Sequence, residues 1–197
     1  MNLQSNDFEL FGLAQQFAQD RAAIDARWKE LQREAHPDKF AAQGAAAQRI
    51  AMQWSVRINE AYQRLKDPLK RAAYLCELNG AAVNAENNTA MPAEFLIQQM
   101  QWREALEAAE TLGQVEEIGR ELSSRKREAL FKCEQLLDVA RDYPAAVGQV
   151  RALMFIERFS DDVDGRVEQF ELQNELQSDL KKPIEKLEPD HGAAANI

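Results

Sequence analysis

REAHPDKFAAQG, residues 33–44, sets His36, Pro37 and Asp38 between two segments whose residues favour helix. Proline has no N–H to donate and its ring collides with the preceding turn, so a helix rarely runs through it. The stretch is therefore a loop, and periodicity decides what it joins. At about 100° per residue, Ile24, Trp28, Leu31 and Ala35 fall on one stripe of a helix over 20–35. Ile50, Trp54, Ile58, Ala61 and Leu65 form the stripe of a second helix over 45–66. Two helices with facing apolar stripes and a short connection make an antiparallel hairpin. Lys29, Arg33 and His36 share another face of the first helix, more than a quarter-turn from its apolar stripe.

Outward from the hairpin, KDP at 66–68 ends the second helix and LKRAAYLCEL begins a short third one. A brief element around Phe8 to Leu13 covers the open side. NGAAVNAENNTAMP, residues 79–92, is rich in Asn and small residues and ends in a proline suited to opening a helix. It divides the chain into a module over 1–77, a linker over 78–92 and a second module over 93–176. The second module reads as helices over 93–112, 115–141 and 145–176, with Gly113 and the DYP at 142–144 as turns. Val115, Ile118, Leu122, Ala129, Cys133, Leu136 and Ala140 stripe its middle helix. Leu153, Ile156, Val163, Val167 and Phe170 stripe its last. One stripe on each of three antiparallel helices gives a small bundle, so the fold class is all-α. Residues 177–197 contain two prolines, little apolar content and no period, which predicts a disordered tail.

Composition narrows the function. The net charge of −9 is uneven: residues 1–77 carry 11 Lys/Arg against 10 Asp/Glu, and the remaining 120 carry 13 against 23. An acidic chain without a basic stripe argues against nucleic-acid binding. No run is apolar and long enough for a membrane span, and the start is polar rather than a signal region, which predicts a cytoplasmic protein. Cys76 and Cys133, the only cysteines, lie within apolar helical patterns and read as buried thiols. With only His36 and His191 besides, no metal site is expected.

His36 and Asp38 could pair as a base and its orienting acid. Pro37, however, is expected to hold their side chains apart, no Ser or Cys stands beside them, and no glycine-rich loop offers an anion hole. The chain is therefore read as a non-enzyme, without catalytic residues. As a plain turn, Pro37 fixes φ and Asp38 bonds nearby amides. A turn alone does not explain the cationic face that leads up to it.

HPDK, INEAY and DPLKRAAYL, with Lys29 seven residues before His36, resemble the J-domain family of co-chaperones over residues 1–77. That resemblance implies that His36, Pro37 and Asp38, with Lys29 and Arg33 as docking cations, bind a DnaK-type chaperone and speed its ATP hydrolysis. Arg27 is a lesser candidate. The hydrolysis then belongs to the partner, and the resemblance implies no cofactor.

The first bundle helix carries more apolar surface than a bundle seam requires. Phe95, Trp102 and Leu106 make one stripe, yet Leu96, Ile97 and Met100 lie 100° to 200° away, with Glu104 on the same outer face. Phe155, between the core candidates Leu153 and Ile156, also points off their stripe. These residues either cover one another, pack on the first module, or form a client patch with a carboxylate rim. FELFGL, RWKELQREAHPDKF, RINEAYQRLKDPLKRAAYL and FLIQQMQWREALE together resemble the HscB family of iron–sulfur cluster assembly co-chaperones, over residues 8 to about 172. The resemblance implies that Leu96, Ile97, Met100, Glu104 and Phe155 bind an IscU-type scaffold protein for presentation to an HscA-type chaperone. Gln101 and Ala108 stand where that family has acidic residues. The alternatives are a J-domain adaptor for another client and a dimerising J-protein.

Overall fold

The computed structural model describes residues 4–83, 91 and 93–181, excepting the side chains of 179–181. Seven α-helices and no strand occur among the described residues. Helix α1 (Asp7–Phe11) opens with a capping box between Asn6 and Glu9 and closes on Gly12 at φ 64°, a left-handed conformation that glycine adopts at little cost. Helix α2 (Arg21–Glu34) is capped by the Asp20 carboxylate on Ala22 N–H at 2.9 Å. A 3₁₀ segment (Pro37–Gln43) follows, and Gly44 at φ 92° turns the chain into α3 (Ala45–Lys66). Asp67 then caps α4 (Pro68–Leu78), with Pro68 in the first helical position, where a missing N–H costs nothing. The hairpin, the covering element and the short third helix match the sequence reading.

The second module is α5 (Ala93–Ala108), α6 (Leu112–Glu134), a π-helical continuation (Gln135–Ala140) and α7 (Tyr143–Lys181). The second module departs from the sequence reading at several points: α5 ends at Ala108 rather than 112, and Tyr143 and Pro144, read as part of a turn, already open α7. Gly113 is not a turn; it lies in the first turn of α6, and the break comes earlier, where Thr111 and Gln114 form a capping box. The stripe of α6 slips at Gln135: Leu137 is buried, whereas Ala140 is exposed and Leu136 only half-buried. A π-turn fits more residues into each turn than 3.6, so positions extrapolated at 100° fall out of phase. Arg141, at φ 54°, ends it. The last helix continues to Lys181, five residues into the stretch read as a tail; residues 182–197 lie outside the described ones.

Two apolar cores result. One joins Ile24, Leu31, Ile58 and Leu65 of the hairpin to Leu75 and Cys76 of α4, then to Cys133, Leu137, Val150 and Leu153 of the bundle. The hairpin module thus closes its core on the base of the bundle. The other holds Trp102, Val115, Leu122, Ile156 and Phe159 at the bundle's far end. Ile50, read as part of the α3 stripe, is 55% exposed; it lines an open groove with Phe40 and Trp54 between the end of α2, the 3₁₀ segment and α3. The linker is not free at its start. Val83 is buried and its carbonyl accepts from Arg151 Nε at 2.8 Å; residues 84–90 and 92 lie outside the described ones.

Asp7 is the buried carboxylate of the first module. Its carboxylate sits 2.6 Å from Arg57 and 2.8 Å from Arg64, as charge pairs outside hydrogen-bonding angles, and its N–H donates to the Tyr74 hydroxyl at 3.0 Å. Removing one partner of a buried pair strands the other. Asp7→Ala is expected to cost about 2–4 kcal/mol in denaturant unfolding, discounted because Arg64 reaches water; a change below about 0.5 kcal/mol would refute this account. The two thiols give a second expectation. Burial pushes Cys76 up to about 11 and Cys133 up to about 12. Hardly any thiolate exists at pH 8, so both should resist a disulfide reagent in the native protein and react at once in denaturant.

Candidate functional site

The 3₁₀ segment contains no buried residue, so the loop takes its position from its two helical stems. His36 caps the segment. Its Nδ1 accepts from Asp38 N–H at 3.3 Å and lies 3.7 Å from Asp38 Oδ2. Pro37 does not hold these side chains apart as the sequence suggested; the 3₁₀ turn folds Asp38 back over His36. The Asp38 side chain is nonetheless 90% exposed. A carboxylate facing water, with no nucleophile in its surroundings, suits a contact with another molecule better than proton transfer.

Lys29, Arg33, His36 and Lys39 line one groove with Trp28 and Gln32. Among the described residues Lys29, Arg33 and Lys39 form no ion pair, whereas Arg27 is paired with Glu30 at 3.1 Å and lies outside the groove. The structure thus brings together Lys29, Arg33 and His36, with Pro37 and Asp38 leading out of the groove's end. Lys39 and Gln32 are members that sequence reasoning passed over. Lys39 is part of HPDK, and Gln32 precedes His36 by four residues, one helical turn.

On α5 the patch also takes shape. Leu96, Ile97 and Met100 are 42%, 56% and 62% exposed, so they neither cover one another nor pack on the first module. Glu104 is exposed on the same helix. Phe155 differs from them. It is half-buried, stacked on Trp102 and Phe159 at 6.2 and 5.7 Å between centroids, edge-on to Phe95 at 5.8 Å, and under the Arg103 guanidinium. Trp102 stacks within this ring cluster, and its indole N–H is buried without an acceptor among the described residues. Phe155 is therefore partly open to solvent while its ring belongs to the aromatic cluster of the core. No group of three His, Cys, Asp or Glu side chains is placed to hold a metal among the described residues.

The groove and the patch lie on a chain with close relatives. The sequence profile of the HSCB C-terminal oligomerisation domain matches residues 91–164. A co-chaperone protein HscB homolog of Burkholderia thailandensis is 48% identical over 174 residues, covering 87% of this chain and 99% of the relative. Its counterpart in Burkholderia cenocepacia is 47% identical over the same coverage. Among solved structures, the chaperone HscB from Vibrio cholerae superposes with a TM-score of 0.72 at 33% identity, over 84% of this chain and 99% of that one. The human co-chaperone protein HscB superposes with a TM-score of 0.79 at 24% identity over 83% of each chain, a likeness of fold. With nearly half its residues shared along almost the whole length of these relatives, the chain belongs to the HscB family of co-chaperones.

Proposed function

We propose that this co-chaperone acts in iron–sulfur cluster assembly in the cytoplasm, docking its J-domain on a DnaK/HscA-type ATPase while α5 holds an IscU-type scaffold protein. The observation that carries the reading is the groove: Lys29, Arg33 and His36 in one row, leading to the exposed Asp38. Unpaired cations speed encounter with an acidic surface, and a loop held by two helical stems loses little entropy on binding. Hydrolysis then proceeds on the partner, whose conformational equilibrium the bound loop biases. The chain itself supplies contacts rather than chemistry.

The scaffold surface rests on Leu96, Ile97 and Met100, a contiguous apolar face with Glu104 on its rim. Exposed aliphatics packed side by side are the ordinary material of an interface centre. Phe155 contributes the part of its side chain open to solvent. Because the two modules share one core, a scaffold held on α5 stays at a fixed distance from the groove, and its effective concentration at the chaperone rises without new contacts.

Two experiments separate these roles. His36→Gln is expected to abolish stimulation of the chaperone ATPase, with circular dichroism and melting temperature unchanged, since His36 is exposed and its hydrogen bond and charge contact among the described residues are to Asp38 of its own loop. Full stimulation by the variant would refute the docking site. Leu96→Ala with Met100→Ala is expected to weaken scaffold binding by about 1–3 kcal/mol at unchanged melting temperature. Phe155→Ala should lower both, because its ring faces are packed. Were the double variant to bind normally but sediment as a smaller species than the wild type, the patch would serve self-association.

A further inference from the structure

The hairpin carries a second seam beside its apolar one, made of polar side chains and running toward the docking loop. On α2 it uses Arg21, Asp25, Trp28 and Gln32, spaced four, three and four residues apart, so they form one stripe whose next member is His36. On α3 it uses Ser55, Asn59 and Tyr62 at matching spacing. At the far end the Tyr62 hydroxyl donates to Asp25 at 2.9 Å, and Asp25 pairs with Arg21 at 2.8 Å. In the middle, Trp28 stacks on Tyr62 at 4.7 Å and its indole N–H donates to Asn59 Oδ1 at 2.9 Å. At the loop end Gln32 Nε2 donates to Asn59 Oδ1 at 2.7 Å and to the Ser55 carbonyl at 3.1 Å, while Gln32 Oε1 accepts from Ser55 Oγ at 2.8 Å.

Both amide hydrogens of Gln32 and its carbonyl oxygen are thus engaged with α3, and Asn59 Oδ1 is shared by two donors. Apolar burial at this end, where Leu31, Ala35 and Ile58 share one core, holds the helices together but is non-directional. Directional bonds are what fix the roll of a helix about its axis. A roll of about 20° carries a side-chain group 5–6 Å from the axis by about 2 Å. Lys29 and Arg33 flank Gln32 on α2, and the loop after them has no buried residue of its own to anchor it.

We propose that Gln32, clamped by Ser55 and Asn59, is the positioning residue that sets the roll of α2 and thereby aims Lys29, Arg33 and the His36–Asp38 loop at the chaperone. The inference rests on the docking reading above. Without the clamp the binding-competent roll is one of several, and apparent affinity falls by the fraction of time it is populated. The bound state, once formed, is unchanged.

The test measures stimulation of the chaperone ATPase against co-chaperone concentration for wild type, His36→Gln, Gln32→Leu, Asn59→Leu and Ser55→Ala. Asn59 and Ser55 do not line the groove, so their variants leave the docking surface intact. Gln32→Leu is expected to raise the half-maximal concentration about tenfold, as for a competent state one-tenth populated, with maximal stimulation unchanged. Asn59→Leu and Ser55→Ala shift it in the same direction, and the Gln32→Leu/Asn59→Leu double variant is no worse than the larger single one, because the three side chains act as one unit. Half-maximal concentrations equal to wild type in Asn59→Leu and Ser55→Ala overturn the proposal, whatever Gln32→Leu does, because Gln32 itself lines the groove. So does a fall in maximal stimulation that tracks a lower melting temperature. A wild type that fails to stimulate, indistinguishable from His36→Gln, sinks the docking reading itself, whereas an active wild type with unaffected Asn59 and Ser55 variants sinks only the clamp.

Discussion

The joint between the two modules rests on one short piece of backbone. Asp138, in the π-turn, accepts the N–H groups of Phe17 at 2.6 Å and Ala18 at 2.8 Å. From the other side Arg71, a buried arginine of α4, donates Nε to the Phe17 carbonyl at 2.7 Å and Nη1 to the Leu65 carbonyl. The Phe17 ring lies against the same guanidinium, 5.2 Å from centroid to Cζ. Burial disfavours the charged form of Arg71 and lowers its pKa, while Asp67 and Asp138 oppose that shift. A buried arginine is tolerable only when its donors are met by acceptors. Here those acceptors are carbonyls of the α1–α2 connection and the end of α3. The loop before α2, the α3–α4 corner and the base of the bundle are therefore held by one set of bonds.

That joint makes the molecule an instrument of fixed geometry. Separate modules on a flexible linker would meet through a small polar interface and move independently. Here Cys76 of α4 packs with Cys133, Leu137 and Val150, so the J-domain and the bundle share a core, and Arg151 ties the start of the linker to α7. The groove on α2 and the patch on α5 therefore keep one distance between them. For the adaptor role proposed above, a fixed distance would matter more than the strength of either contact, since a misplaced client would gain nothing from a nearby chaperone.

What the sequence made legible was set by period. The stripes of α2 and α3, the HPD loop and the surplus apolar residues of α5 all follow from 3.6 residues per turn, and the structure places Leu31, Ile58 and Leu65 fully inside as the stripes require. Three features escaped. The π-turn shifts Leu137 and Asp138 inward by lengthening a single turn, and nothing in QLLDVA announces it. Thr111 caps α6 through a T-x-x-Q pattern that was present but overshadowed by Gly113, which has no positive φ and simply sits in the helix. Phe155 read as an outward residue because the stripe left it out; aromatic rings are large enough to reach sideways onto Trp102 and Phe159. Periodicity finds the centre of a buried face and misjudges its edges.

The polar seam of the hairpin was invisible for a related reason. Gln32, Ser55 and Asn59 lie one position away from apolar stripe members, and single residues of that kind on a helix flank are ordinarily solvated. Only the placement of both helices shows that Gln32 finds partners on α3 for both its amide hydrogens and its carbonyl oxygen. A J-domain has little core near its loop: Pro37–Gln43 buries nothing, and Ile50 and Phe40 leave a groove open beside it. Hydrophobic burial, being non-directional, cannot fix the orientation of such an end. Directional bonds can, and they are strongest where water is partly excluded, as at the part-buried pair of bonds between Gln32 and Ser55. The loop can thus remain fully available to a partner because its rigidity is supplied one helical turn away.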